Sequence, residues 1–138
     1  MNYGELLNLY FERSAALQSY WTLYVVIVGG LLAFSSLRRV PDLLTTGLVS
    51  ILFACFAYKN MGAIEEASLQ RHAVLASLTQ AATPESAPST FPQARSQIEA
   101  TLHPPEVDGV KQFHLISDIL TLLTLWAMEL RRRRQQTE

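Results

Sequence analysis

Between Ala15 and Leu37 the chain carries no Asp, Glu, Lys or Arg. As helix, that run of 23 residues is roughly 35 Å long at about 1.5 Å per residue. The hydrocarbon core of a bilayer is about 30 Å thick. The run predicts a first membrane span. The rest of the 138-residue chain is constrained by it, because that length allows one domain.

Two further runs follow. Leu43 to Tyr58 is uncharged over 16 residues, slightly below the usual minimum of about 17. Lys59 ends it, and a lysine stem can snorkel to the interface. Asn60, Met61 and Gly62 can extend the helix. Phe113 to Met128 carries one acid, Asp118. Its apolar core, Ile119 to Met128, predicts a third span. The expected fold is an all-α integral membrane protein with three transmembrane helices. Their predicted bounds are residues 17–37, 43–61 and 111–130.

Arginines orient the arrangement. Arg38 and Arg39 follow the first run, and Arg131, Arg132, Arg133 and Arg134 follow the third. Cationic residues beside spans stay on the cytoplasmic side. With three spans, the short loop 38–42 and the tail 131–138 share one side and hold these six arginines. The lead-in 1–16 and the loop 62–110 share the other. Arg13, Lys59, Arg71, Arg95 and Lys111, which lie on or beside that side, are five basic residues spread over a far longer stretch. The expectation is an N-terminus outside and a C-terminus in the cytoplasm, in a bacterial inner (plasma) membrane. A two-span alternative, with the third run lying in the interface, sets four consecutive arginines against the rule. Asp118 lies about six residues inside Gln112, so the cost of an acid at mid-membrane is reduced there. Tyr20, Trp21, Tyr24, Tyr58 and Trp126 fall near predicted interfaces, where Trp and Tyr are favoured.

The first run does not read as a removable signal. Glu5, Glu12 and Arg13 precede it in place of a basic n-region, and no small-x-small cleavage site follows. Gly4 to Ser14 is an amphipathic lead-in, lying in the interface or continuing into the first span. Pro41 suits the first turn of the second helix, with Asp42 at its positive end. Residues 62–82 read as helix and 83–92 as a Pro-rich linker. Thr90 and Gln93 have capping-box spacing for a short helix over 93–102, which His103-Pro104-Pro105 ends. Asp108 is a plausible N-cap for a final helix from about Val110 to Arg133. The loop 62–110 is thus expected to be partly helical and to cover the bundle.

The candidate chemistry is sparse. An acid inside a span is a functional candidate by default. His114 lies four residues before Asp118 on the same helix face, which suggests a polar or proton site. Lys59 has a similar expected depth, which suggests an interhelical Lys59–Asp118 pair. His72, His103 and His114 share the outer side, but no ligand spacing supports a metal, and no cofactor is expected. A pH-sensing role for the three is a further reading. Gly29, Gly30 and Ala33 offer a small-residue face for helix packing, against the second span or another copy. Arg38, Arg39 and Arg131–Arg134 serve topology and can meet lipid headgroups. Glu129 and Arg133 make an i,i+4 pair of little weight. Cys55, the lone cysteine, reads as a small apolar residue.

The chain has no nucleophile motif, phosphate-binding loop or dinucleotide fingerprint, and its net charge of −1 points to no nucleic acid. The expected function is non-enzymatic: a subunit, scaffold or accessory factor of a membrane assembly. Its partners would be the bilayer and either another membrane protein or a second copy. The alternative is an oligomeric transporter or channel with Asp118 lining the pathway. An intramembrane enzyme is the remaining possibility.

Overall fold

A computed structural model describes residues 3–81, 97–98, 100–102 and 106–137. Three long helices dominate it: α1 (Tyr3–Leu37), α2 (Leu43–Ala81) and α3 (Val107–Thr137). All three are long and apolar enough to cross a membrane. No strand occurs among the described residues.

The helices outrun any single span. At 39 residues, α2 is about 58 Å long at ~1.5 Å per residue, nearly twice a bilayer core. The lead-in and the first span are one continuous helix, α1. The second span and the segment after it are likewise one helix, α2. Both lack an internal Pro, so nothing interrupts the i→i−4 ladder. The Pro-rich linker, the Thr90/Gln93 capping box and His103-Pro104-Pro105 lie outside the described residues.

Two helix starts differ from expectation. α2 begins at Leu43 with Asp42 as its cap, and Pro41 is not in its first turn. The carboxylate of Asp42 accepts from the Leu44 amide at 2.9 Å, the Thr45 amide at 3.3 Å and the Thr45 hydroxyl, and its carbonyl accepts from Thr46 N at 3.1 Å. An Asp at N-cap supplies the acceptors that the first amides lack. Pro41 therefore stands outside the helix, in the bend at Val40 that joins α1 to α2. α3 starts at Val107, with Val110 N donating to the Glu106 carbonyl at 3.2 Å. Asp108 thus lies in the first turn, favoured by the helix dipole, and is not the cap.

A 3–4 spacing of inward residues runs along all three helices. On α1 it is Tyr10, Ser14, Leu17, Trp21, Tyr24, Val28, Leu31 and Ser35, all buried or half-buried. On α2 it is Phe53, Ala57, Asn60, Ile64, Ala67, Arg71, Val74 and Leu78. On α3 it is His114, Asp118, Thr121, Leu125, Met128 and Arg132. This is the repeat of helices packed at a shallow left-handed angle. Three clusters fill the seam: Tyr10, Val74, Leu78 and Leu102 at the end remote from the arginines, then Leu17, Ile64 and Ala67, then Tyr24, Phe53 and Ala57.

Large apolar side chains face outward along the apolar segments, while several polar side chains are buried in the seam. Val25, Val26, Leu44, Leu52 and Leu123 are 60% to 81% exposed. Ser35, Thr46, Asn60, His114, Thr121 and Glu129 are buried. A water-soluble bundle shows the reverse distribution.

Candidate functional site

Two polar knots join the helices. The first is built by the seam spacing, which turns Tyr24 of α1, Asn60 of α2 and His114 and Asp118 of α3 toward one point. The Tyr24 hydroxyl donates to Asp118 Oδ1 at 2.9 Å. His114 Nδ1 lies 2.8 Å from Asp118 Oδ2, and His114 Nε2 lies 3.2 Å from Asn60 Nδ2. His114 is fully buried and Tyr24 is 4% exposed. With the Asn60 amide nitrogen toward the ring, the bonds close as one chain: the Asp118 side chain accepts from Tyr24 and from His114 Nδ1–H, and Nε2 accepts from the Asn60 amide. Aromatic rings flank the site: the His114 ring lies tilted against Tyr24, 4.3 Å between centroids, and against Trp21, 5.7 Å between centroids.

The Lys59–Asp118 pair expected from the sequence does not form. Lys59 is exposed, and Asp118 spends its two oxygens on Tyr24 and His114. The reason is helical phase. Asn60 occupies the seam position, so its neighbour Lys59 is turned about 100° away. His114 and Asp118 do meet, as their i,i+4 spacing suggested. Tyr24 and Asn60 escaped sequence reasoning. Their signal was the 3–4 spacing that links Asn60 to Phe53, Ala57 and Ile64.

The second knot lies at the arginine-rich end. Glu129 is fully buried. Its Oε2 accepts from Thr46 Oγ1 at 3.1 Å and from Arg132 Nη2 at 3.0 Å. Arg132 also donates to the Ser35 carbonyl at 2.6 Å, so α1, α2 and α3 meet through one ion pair. Arg38 donates to Thr46 Oγ1 at 3.1 Å and to the Asp42 carbonyl at 3.3 Å, which closes the α1–α2 corner. The expected Glu129–Arg133 pair is present at 3.6 Å, yet it is the weaker contact, and Glu129 is not the surface residue that reading implied. Asp42 sits outside the spans. Its hydrogen bonds from Thr45, then that from Leu44 and the charge of Arg38, hold its carboxyl below the ordinary range.

Between the knots the seam is apolar. Leu31, Phe53, Leu122 and Leu125 fill it, and Thr121 returns its hydroxyl to its own helix at the Ser117 carbonyl. The knots are separated by 11 residues of α3, Asp118 to Glu129, about 16 Å.

Within the chain, the glycines do not pack against the second helix. Gly29, Gly30 and Ala33 are exposed, and a Cβ added at Gly29 or Gly30 meets nothing within 4 Å. The seam uses Val28, Leu31 and Ser35 instead. Gly30 lines an apolar groove of about 450 Å³ between α1 and α2, with Val26, Phe34, Leu52 and Phe56. A smaller groove of about 280 Å³ between α2 and α3 has Asp118 on its wall among Ala57, Met61 and Leu122.

Cys55 is exposed on α2. Among the described residues no three His, Cys, Asp or Glu side chains converge as metal ligands; His103 lies outside them. Toward the end remote from the arginines, Lys111 pairs with Glu65, and the Arg71 guanidinium lies 5.4 Å from the Tyr10 ring centre. No family model, curated protein or solved structure matches the chain.

Proposed function

We propose that the chain is a multi-pass membrane protein that acts by interaction, as a subunit, scaffold or accessory factor of a membrane assembly, and not as an enzyme. The observation that carries this reading is where the polar side chains of the spans point. Tyr24, Asn60, His114 and Asp118 bond to one another, as do Ser35, Thr46, Glu129 and Arg132. Each set ties three helices together, and an apolar seam separates the sets. Such groups act as glue between helices where no water competes. What the spans present outward is apolar surface and two apolar grooves, which suit lipid and another membrane helix. The six arginines at one end support an orientation with that end in the cytoplasm.

Site-specific photocrosslinking in membranes tests the reading. A photoreactive residue at Leu52, in the α1–α2 groove, should give one defined protein adduct. The same residue at Leu120, outside both grooves, should not.

The α2–α3 groove favours a second reading, in which several copies assemble around Asp118 as a transport path. Flux through proteoliposomes containing the chain alone, abolished in Asp118→Asn, would overturn the interaction reading in its favour.

A further inference from the structure

The two arginine clusters are far apart in sequence, and the fold brings them to one cleft. Arg38 and Arg39 at the end of α1 face Arg131 and Arg132 of α3 across a cavity of about 450 Å³, with Ser36 on its rim and Met128 as its apolar wall. Small-ligand sites occupy ~300–1,000 Å³.

The four guanidiniums divide into two kinds. Arg38 and Arg132 form a fixed floor; their side chains are only 15% and 10% exposed. Thr46 and the Asp42 carbonyl hold Arg38. Glu129 and Ser35 hold Arg132. Arg39 and Arg131 are exposed on the rim, and neither has an acceptor among the described residues. Charge is in surplus here. The segments 38–42 and 129–138 hold six arginines against three acids, Asp42, Glu129 and Glu138, and Asp42 and Glu129 already accept hydrogen bonds. Guanidinium groups bind phosphate oxygens as two-pronged donors. The cleft also sits just past the ends of the apolar spans, at headgroup level if the helices cross a bilayer.

We propose that this cleft binds the phosphate of an anionic phospholipid, with Arg39 and Arg131 as its two free donors. The proposal rests on the membrane reading given above. It differs from diffuse attraction between a basic tail and an anionic surface, because it requires these two arginines and not their neighbours.

Two double variants make that distinction. Arg39→Gln/Arg131→Gln removes two cations from the cleft. Arg133→Gln/Arg134→Gln removes two from the same end of the bundle, outside the cleft. Native mass spectrometry of the detergent-solubilised chain, titrated with phosphatidylglycerol or phosphatidylcholine, reads bound lipid. The wild type should retain one phosphatidylglycerol per chain and discriminate against phosphatidylcholine. The cleft variant should bind roughly 30-fold more weakly, the change expected for two cations near an anionic headgroup. The outer variant should stay within a fewfold of wild type. Equal losses in both variants mean diffuse attraction and overturn the proposal. Displacement of the lipid by equimolar glycerol phosphate or inorganic phosphate means a site for free phosphate and overturns the lipid assignment. Removing arginines can also disturb insertion, so the accessibility of a cysteine introduced at Gln136 is measured in sealed vesicles. A wild type whose Gln136 position is reached from outside the cell breaks the membrane orientation. A correctly oriented wild type that retains no phosphatidylglycerol breaks the lipid proposal alone.

Discussion

Replacing Asp118 tests whether the first knot stabilises the bundle. Asp118→Ala removes the acceptor of the Tyr24 hydroxyl and of His114 Nδ1, both on side chains at most 4% exposed. Hydrogen bonds between helices in membranes contribute about 0.6 kcal/mol on average and up to about 1.7. Two such bonds, lost with their donors stranded away from water, should cost about 1–3 kcal/mol. Asp118→Asn should behave differently, because the network can reverse its polarity. The new Oδ1 still accepts from Tyr24, and the new amide donates to His114 Nδ1. The imidazole then carries its proton on Nε2, and the Asn60 amide turns over to offer its oxygen. All three bonds return, so the cost should stay below about 0.5 kcal/mol. Reversible unfolding in mixed micelles or steric trapping in bicelles measures both variants. Nitrogen NMR of His114 reads the tautomer, which should switch from Nδ1–H to Nε2–H in Asp118→Asn. Equal destabilisation by the two variants, or none by either, refutes the reasoning. Adding Lys59→Ala to Asp118→Ala should change nothing further, since Lys59 takes no part.

Glu129→Ala should destabilise by about 3 kcal/mol, because Arg132 is left partly buried without its carboxylate; Glu129→Gln, which keeps an acceptor for Thr46, should cost less in the same unfolding assay. Gly29→Ala should stabilise the monomer by roughly 0.5–1 kcal/mol, since a helical Gly is entropically costly and the new Cβ meets nothing within 4 Å. If Gly29 serves close approach by another helix, that gain should come with weaker association in a crosslinking assay. The Asp42 carboxyl is lowered on folding, so it stabilises the fold above the ordinary carboxylate range and loses that contribution as pH falls through its lowered value. Thermal melts followed by circular dichroism should show the wild-type Tm dropping at acid pH, with a shallower slope in Asp42→Asn, which keeps a cap but cannot titrate.

Much was legible because one physical rule dominates each feature. Runs without charge give helices long enough to span, since an apolar helix satisfies every backbone group internally. His114 and Asp118 lie one turn apart, so their contact follows from helix geometry alone. The partners on other helices were harder to read. Depth along a span says that Lys59 and Asp118 lie at similar levels. Rotation about the axis decides whether they meet, and one residue of phase turned Lys59 out and Asn60 in. Glu129 shows the same limit. Its i,i+4 relation to Arg133 was local and visible, but its burial depends on Thr46 and Ser35 of the other two helices.

By itself, then, the sequence determined three apolar helices, a short α1–α2 connection, and arginines gathered at the ends of two apolar runs. These follow from composition and spacing within a single segment. Only the tertiary structure decided which face of each helix turns inward. That choice turned Gly29 and Gly30 outward, tied Tyr24, Asn60, His114 and Asp118 into one chain of bonds, and brought Arg39 and Arg131 to opposite sides of one cleft. The physical reason is that outward-facing and seam-facing positions are both largely apolar here. The contrast that marks a buried face in a water-soluble helix is missing, and a few polar residues fix the rotation through bonds that exist only once three helices are side by side.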